Sequence, residues 1–240
     1  MQKIEPLGGK IKIYVSQNHT FGTDAVLLAD FAAPKKADIA LDLGTGCGII
    51  PMLWMRSDAP KHVIGIDIQK EACGLAERSI ELCGVEERFK VLNLDLRNPE
   101  GLPKGHFSLI TCNPPYKSDG AGIQNYNISR RIARHETECS LEDIIKTSSM
   151  LLRSTGRLCL CHRPERLTDI MVLMRSYKIE PKRLRTVHQR QGCEPWLILI
   201  EGRRDSKPGL RIAPPLYIEH NGQLSEEMLE IYGDYKTGHI

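Results

Sequence analysis

Aromatic residues make up only 5% of this 240-residue sequence, and no apolar run approaches the roughly 18–20 residues that a helical membrane span needs. Fixed-period repeats and low-complexity tracts are absent, which excludes solenoids and propellers. The eight cysteines form no C-x-x-C pair and have no histidine at zinc-finger spacing, so no metal is expected, and the thiols read as small core residues in a reducing compartment. A secretory signal's apolar core and small-residue cleavage site are missing from the first residues, from which a cytoplasmic location is expected. Charge of one sign is also scarce: 33 Lys+Arg against 30 Asp+Glu leave +3, too little by itself to announce a nucleic-acid binder. What is present is ordinary for a folded chain, with 41% hydrophobic and 26% charged residues, long enough for one large domain with appendages.

The recurring pattern is strand followed by helix. Ile39–Leu43 reads as a short buried strand, followed by a glycine-rich turn and a helix over 49–56; His62–Asp67 is a second apolar strand ending in an acid. Ala72, Leu75, Ala76, Ile80 and Cys83 recur at helical spacing, with Gly84 as the expected C-cap, and a strand over 88–93 follows. Phe107–Cys112 and 157–162 are further strands, separated by a helix carrying Leu141, Ile144, Ile145 and Leu152, and Leu167, Ile170, Met171 and Met174 mark another helix. This alternation predicts a mostly parallel sheet covered on both faces. Two strand-like runs, 184–189 and 196–201, are joined so briefly that an antiparallel hairpin is expected. Residues 203–215 are expected to be a surface linker, and the tail holds an Asn221-Gly222 turn and a short helix capped by Ser225. Near the start, Thr23 or Asp24 is expected to cap a helix through Phe31.

In an open parallel sheet, ligands bind beyond the carboxyl ends of the strands. The first such end reads Asp42-Leu43-Gly44-Thr45-Gly46-Cys47-Gly48, where glycines permit a tight turn and close approach to bare backbone. Asp67 at the next end can accept both hydroxyls of a ribose, and Asp95 near the third can accept from an adenine amino group. Singly, either acid reads equally well as a turn or helix cap; at successive strand ends they describe a nucleoside site. The fourth strand runs into Asn113-Pro114-Pro115-Tyr116. Two prolines end a strand in any protein, but here they stiffen a loop in which the Asn113 side-chain oxygen and the Pro114 carbonyl can face one amino group. Tyr116 offers a flat face for a base. A delocalised amino nitrogen is a poor nucleophile. Two acceptors on its hydrogens draw it toward tetrahedral geometry, so positioning and electrostatics replace a strong base.

The combination of the GTGCG turn, the strand-end acids and NPPY, in that order, resembles the class I S-adenosylmethionine-dependent methyltransferases that modify amino groups. The likeness covers roughly residues 15–202. It implies a Rossmann-like, seven-stranded α/β sheet, mostly parallel, with an antiparallel C-terminal hairpin. It also implies that S-adenosyl-L-methionine binds and leaves as S-adenosyl-L-homocysteine. By that resemblance Asp42, Gly44 and Gly46 surround the methionine part, Asp67 the ribose and Asp95 the adenine, while Asn113, Pro114 and Tyr116 hold the target nitrogen, Asn113 also bordering the cofactor. Phe21-Gly22-Thr23-Asp24-Ala25 looks like the family's N-terminal cofactor motif, with Phe21 and Thr23 as candidate contacts, or else a plain helix cap. The domain division expected is 1–202 for the methyltransferase unit and 203–240 for a linker and appendage packed on it.

NPPY serves N6-adenine in DNA, N6-adenine in RNA and the side-chain amide of glutamine in release factors. The glutamine enzymes carry a helical N-terminal domain and the DNA enzymes a large target-recognition domain, whereas here only 38 residues precede the first expected strand. Residues 17–31, Arg131-Ile132-Ala133-Arg134-His135-Glu136 and Pro214-Pro215-Leu216-Tyr217-Ile218 look like the bacterial tRNA(Val) adenine-N6 methyltransferase family. The implied partner is tRNA, modified just 3′ of the anticodon. Residues 163–211 hold twelve Lys/Arg against six Asp/Glu, and Lys117, Arg131 and Arg134 follow NPPY as candidate substrate contacts, though each such cation also reads as part of a solvated face. A lone His135-Glu136 is not the HExxH metal motif, because Cys139 stands where the second histidine belongs. Trp54 and Trp196 lie in apolar runs and read as core. A protein-glutamine N5-methyltransferase and a non-catalytic RNA-binding module remain the alternatives.

Overall fold

A computed structural model describes residues 2–114 and 139–237. Strands β1 (Gln2–Gly8) and β2 (Ile11–Ser16) form a separate antiparallel ribbon, followed by helix α1 (Thr23–Ala32). The main sheet then begins with β3 (Ile39–Leu43), α2 (Ile49–Trp54), β4 (His62–Asp67), α3 (Lys70–Cys83), β5 (Phe89–Asn93) and β6 (Phe107–Cys112). It continues with α4 (Leu141–Leu151), β7 (Leu152–His162), α5 (Leu167–Ser176), β8 (Ile179–His188) and β9 (Pro195–Arg204). The spatial order is β5-β4-β3-β6-β7-β9-β8, with every pair from β5 to β7 parallel and β9 antiparallel to both of its neighbours. Strand order reverses between β3 and β6, which is where a crevice opens at the carboxyl ends.

The central strands are buried on both faces and are largely apolar: all six residues of β6, Phe-Ser-Leu-Ile-Thr-Cys, are buried, the Ser108 and Thr111 hydroxyls donating to Asp38 and Asp42. Alternate residues feed two cores. Ala40 and Leu109 point into a cluster shared with α1, α2, α3 and the N-terminal ribbon, and Leu41 and Ile110 into a second one under α4 and α5. Helix α3 buries Ala72, Leu75, Ala76 and Ile80 along one stripe and ends at Gly84 in the left-handed conformation, as its spacing predicts. The start of α4 is fixed by a reciprocal cap: Ser140 Oγ accepts from the Asp143 N–H at 3.1 Å, and the Asp143 carboxylate accepts from the Ser140 N–H at 2.9 Å, an arrangement that stabilises a helix start by about 1 kcal/mol.

Several expectations are revised. The 38 residues before β3 are not strandless, because β1 and β2 precede it; Tyr14 N–H donates to Ser79 Oγ at 2.9 Å, docking the ribbon on α3. Helix α1 is not capped by Thr23 or Asp24. Its N-cap is Gly22, without a side-chain cap bond; Thr23 Oγ1 instead lies 3.1 Å from the Tyr232 hydroxyl. Leu152 opens β7 rather than closing α4, and that strand is longer than expected. Within 203–215, expected as linker, β9 runs on to Arg204 and β10 (Arg211–Ile212) pairs parallel with β8; just beyond it β11 (Leu216–Tyr217) does the same. These add two short edge strands to the seven. Asn221 and Gly222, both at positive φ, turn β12 (Glu219–His220) into β13 (Gln223–Leu224). Ser225 Oγ caps α6 (Glu226–Tyr232) by accepting from Met228 N–H at 3.2 Å, and α7 (Asp234–Thr237) follows. Among the described residues, no helix is long and apolar enough to cross a membrane.

Candidate functional site

The carboxyl ends of β3, β4 and β6 and the segment after β5 surround a cavity of about 700 Å³, whose wall includes Gly44, Gly46, Asp67, Asp95, Asn113 and Pro114. Six candidates separated by up to 70 positions in the sequence are thus brought to one space by the parallel sheet. Gly44 (φ +67°) and Gly46 (φ +57°) take left-handed backbone that a side chain disfavours, and nothing lies within 4 Å of where a Cβ would sit on either. The turn therefore presents bare backbone to the cavity. It is pinned from the neighbouring strand end: one Asp67 carboxylate oxygen accepts from the Gly46 N–H at 2.8 Å and the other from the Gln69 N–H at 2.8 Å. Each oxygen keeps a lone pair for a further donor.

Asp42 sits behind this wall rather than on it. Its side chain is 1% exposed and accepts from the Thr111 hydroxyl at 2.6 Å on the adjacent strand. Burial, opposed by that hydrogen bond, pushes its carboxyl up to about 7. Asp95 is the opposite case, partly exposed and gripped by Arg97, whose Nε and Nη2 reach its two oxygens at 3.0 and 2.6 Å. That pairing holds the Asp95 carboxyl below its ordinary value.

At the end of β6, Cys112 pairs with Leu160 of β7, so Asn113 and Cys161 come side by side one residue further on. The Cys161 thiol donates to Asn113 Oδ1 at 3.0 Å. Next along β7, His162 also faces the cavity; burial first, then the nearby Arg166 charge, pulls its imidazole down to about 4. Its Nδ1 accepts from the Arg163 N–H at 2.8 Å, which places the proton of the neutral ring on Nε2.

Not every candidate lies on the wall. Phe21 packs toward the C-terminal tail, its ring centroid 6.1 Å from that of Tyr235, and Thr23 meets Tyr232; the residues of that region that line the cavity are Gln17 to Thr20 and Asp24. Tyr116, Lys117, Arg131 and Arg134, together with His135 and Glu136, lie outside the described residues. Sequence reasoning missed His162 and Arg166 as cavity residues, although both fall at or just after the carboxyl end of β7, where the same strand-end rule applies. The basic stretch 163–211 is also less free than its composition suggests. Arg166 pairs with Asp169, Arg183 and Arg203 with Glu201, and Arg185 with Glu227, while Arg163 and Arg204 donate to backbone carbonyls. Trp54 is core as expected, its indole N–H donating to the Ala29 carbonyl at 2.9 Å.

The sequence pattern of the methyltransferase small domain matches residues 12–175. A tRNA1(Val) (adenine(37)-N6)-methyltransferase of Parabacteroides distasonis is 32% identical over 75% of this chain and 75% of its own, and one from Tolumonas auensis is 28% identical over 75% and 74%. Among solved structures, a predicted O-methyltransferase of Agrobacterium tumefaciens superposes with a TM-score of 0.71 at 25% identity, covering 87% of this chain and 95% of that one. The P. horikoshii TYW2 protein, solved with MeSAdo, shares the fold alone at 14% identity and a TM-score of 0.60, covering 85% and 72%.

Proposed function

Since this chain belongs to the methyltransferase small domain family and, within it, to the family of the tRNA1(Val) (adenine(37)-N6)-methyltransferases, we propose that it methylates the N6 amino group of an adenine in tRNA, with adenine 37 of tRNA1(Val) as the target. It is an S-adenosyl-L-methionine-dependent methyltransferase. The residues present fit that cofactor. The open glycine turn leaves room for a ligand against backbone. Three carboxylates line the cavity, Asp24, Asp67 and Asp95, and the two at strand ends suit hydroxyl and amino donors of a nucleoside rather than a phosphate.

In this reading Gly44 and Gly46 border the methionine part, with Asp42 supporting the turn from behind; Asp67 holds the ribose hydroxyls through its remaining lone pairs, and Asp95 accepts from the adenine amino group. Phe21 and Thr23 lie off the wall and flank the lining stretch that runs from Gln17 to Asp24. When bound, the cofactor supplies one electrophilic methyl group on its sulfonium sulfur, taken in a single displacement. The protein's part is positional. The Asn113 side-chain oxygen and the Pro114 carbonyl accept the two hydrogens of the target amine, which fixes the direction of its lone pair and favours the developing positive charge on nitrogen. Tyr116 stacks on the splayed base, and Lys117, Arg131 and Arg134 neutralise loop phosphates. As the N–C bond forms and the C–S bond breaks, the leaving group would be the neutral thioether S-adenosyl-L-homocysteine, and the methylated nitrogen would release its surplus proton to solvent. Residues 1–202 act as the methyltransferase unit and 203–240 as its appendage, a reading supported by Leu216, Met228 and Tyr232, which share an apolar cluster with α1. A tRNA substrate also favours a cytoplasmic location.

The observation that carries the reading is the convergence of Asn113-Pro114 and the Asp67-pinned glycine turn on one cavity. It is tested by incubating the protein with radiolabelled S-adenosyl-L-methionine and, separately, unmodified bulk tRNA, DNA and a release factor, then digesting the product. N6-methyladenosine in tRNA alone is expected; label in the release factor overturns the choice of substrate.

A further inference from the structure

We propose that Cys161 is a positioning residue for the methyl transfer: its thiol fixes which way round the Asn113 carboxamide sits, turning the oxygen rather than the NH2 group toward the target amine. The inference rests on the reading of Asn113 as an acceptor for that amine.

A carboxamide is nearly symmetric in shape, so packing alone does not distinguish its oxygen from its nitrogen, yet the two ends have opposite hydrogen-bonding character. Only the oxygen can accept an amine hydrogen. A flipped Asn113 would present N–H groups to another N–H group, and the target would be repelled. The choice falls to the neighbour that donates to one end of the carboxamide more readily than it accepts from the other.

Cys161 is that neighbour. Its sulfur is 3.0 Å from Asn113 Oδ1 and 0% exposed, on the strand directly beside the end of β6. Burial raises the thiol well above its ordinary value, so the group stays protonated and donates. The S–H donates to the oxygen at 3.0 Å, and the sulfur, only a weak acceptor and already met by its own backbone N–H, offers the NH2 group little in the reverse orientation. One lone pair of Oδ1 is thereby occupied from inside the sheet, and the second remains for the target nitrogen. Sulfur is a weak donor, but no strong interaction is needed to bias a two-state flip when the donor is itself fully buried.

The test compares Cys161→Ser with Cys161→Ala by steady-state kinetics on tRNA, calorimetric cofactor binding and thermal melting. Serine keeps a donor; alanine removes it with a loss of volume no larger than the gap left by one atom. The expected result is that alanine lowers kcat by roughly tenfold, a scale set by the loss of one hydrogen bond. KM for tRNA and the cofactor Kd should stay within about twofold of wild type, the remainder of the binding surface being untouched. Serine should recover most of the kcat even though both variants melt at lower temperature. Equal kcat for the serine and alanine variants, or wild-type kcat in the alanine variant, overturns the proposal. Failure of the parent reading looks different, because the unsubstituted protein would then leave adenine in tRNA unmodified.

Discussion

Asp67 and Gly46 are joined across the top of the sheet: the carboxylate at the end of β4 accepts the N–H in the turn after β3 at 2.8 Å. An acid expected to meet a ribose thus also shapes the backbone beside it. Two effects should appear together in Asp67→Ala. Cofactor affinity measured by calorimetry should fall at least about tenfold, and the fold should lose about 1–3 kcal/mol because two backbone donors lose their acceptor. Unchanged affinity alongside lowered stability would show the carboxylate to be structural only.

Asn113→Ala removes the acceptor and leaves the glycine turn intact. Turnover on tRNA should drop by about a hundredfold or more, as when a single preorganised polar group is lost from a transition state. Cofactor binding should change little. A variant with near-normal kcat would place the target nitrogen elsewhere.

Asp42 provides a pH test. Its carboxyl is raised from 3.8 to about 7 by burial, so the folded state holds a proton that the unfolded chain has already released. The associated stability is full below about pH 4 and is lost as pH rises through about 7. Asp42→Asn keeps an acceptor for Thr111 and removes the titration. Urea midpoints at pH 5 and pH 8 should therefore show the wild type losing ground to the variant at the higher pH. Parallel behaviour of the two proteins would mean that the group does not titrate in this window.

Tyr232 is 2% exposed and its hydroxyl lies 3.1 Å from Thr23 Oγ1, tying α6 to the start of α1. Tyr232→Phe should cost no more than about 1 kcal/mol, the worth of one hydrogen bond. Tyr232→Ala, which empties an aromatic site in the core, should cost about 3–5 kcal/mol. Chemical denaturation distinguishes the two, and equal small losses would mean that the tail does not pack tightly.

The parts of this architecture that follow the strand-end rule were legible. Periodicity places β3, β4, β6 and α3 closely, because strands buried on both faces are mostly apolar and α3 has a single buried stripe. It failed where partners lie far away in sequence. The β1–β2 ribbon mixes exposed and buried positions and is held partly by Ser79 of α3, a contact that no local pattern announces. Thr23 has the composition of a helix cap but bonds 209 positions away to Tyr232. Within the site, the glycines and acids carry their chemistry in their identity, while Cys161 looked like core filler. Its relevance depends on the register of β6 against β7, which residue type does not encode.

The cavity wall is assembled from residues as early as Gln17 and as late as Arg166, contributed by a loop, the carboxyl ends of five strands and the starts of two helices. The complete wall exists only when these distant stretches are docked at once. Occupancy and global folding are therefore thermodynamically linked. A ligand present at a hundred times its Kd adds about 2.7 kcal/mol to the stability of the whole domain, and melting temperature becomes a gauge of cofactor supply.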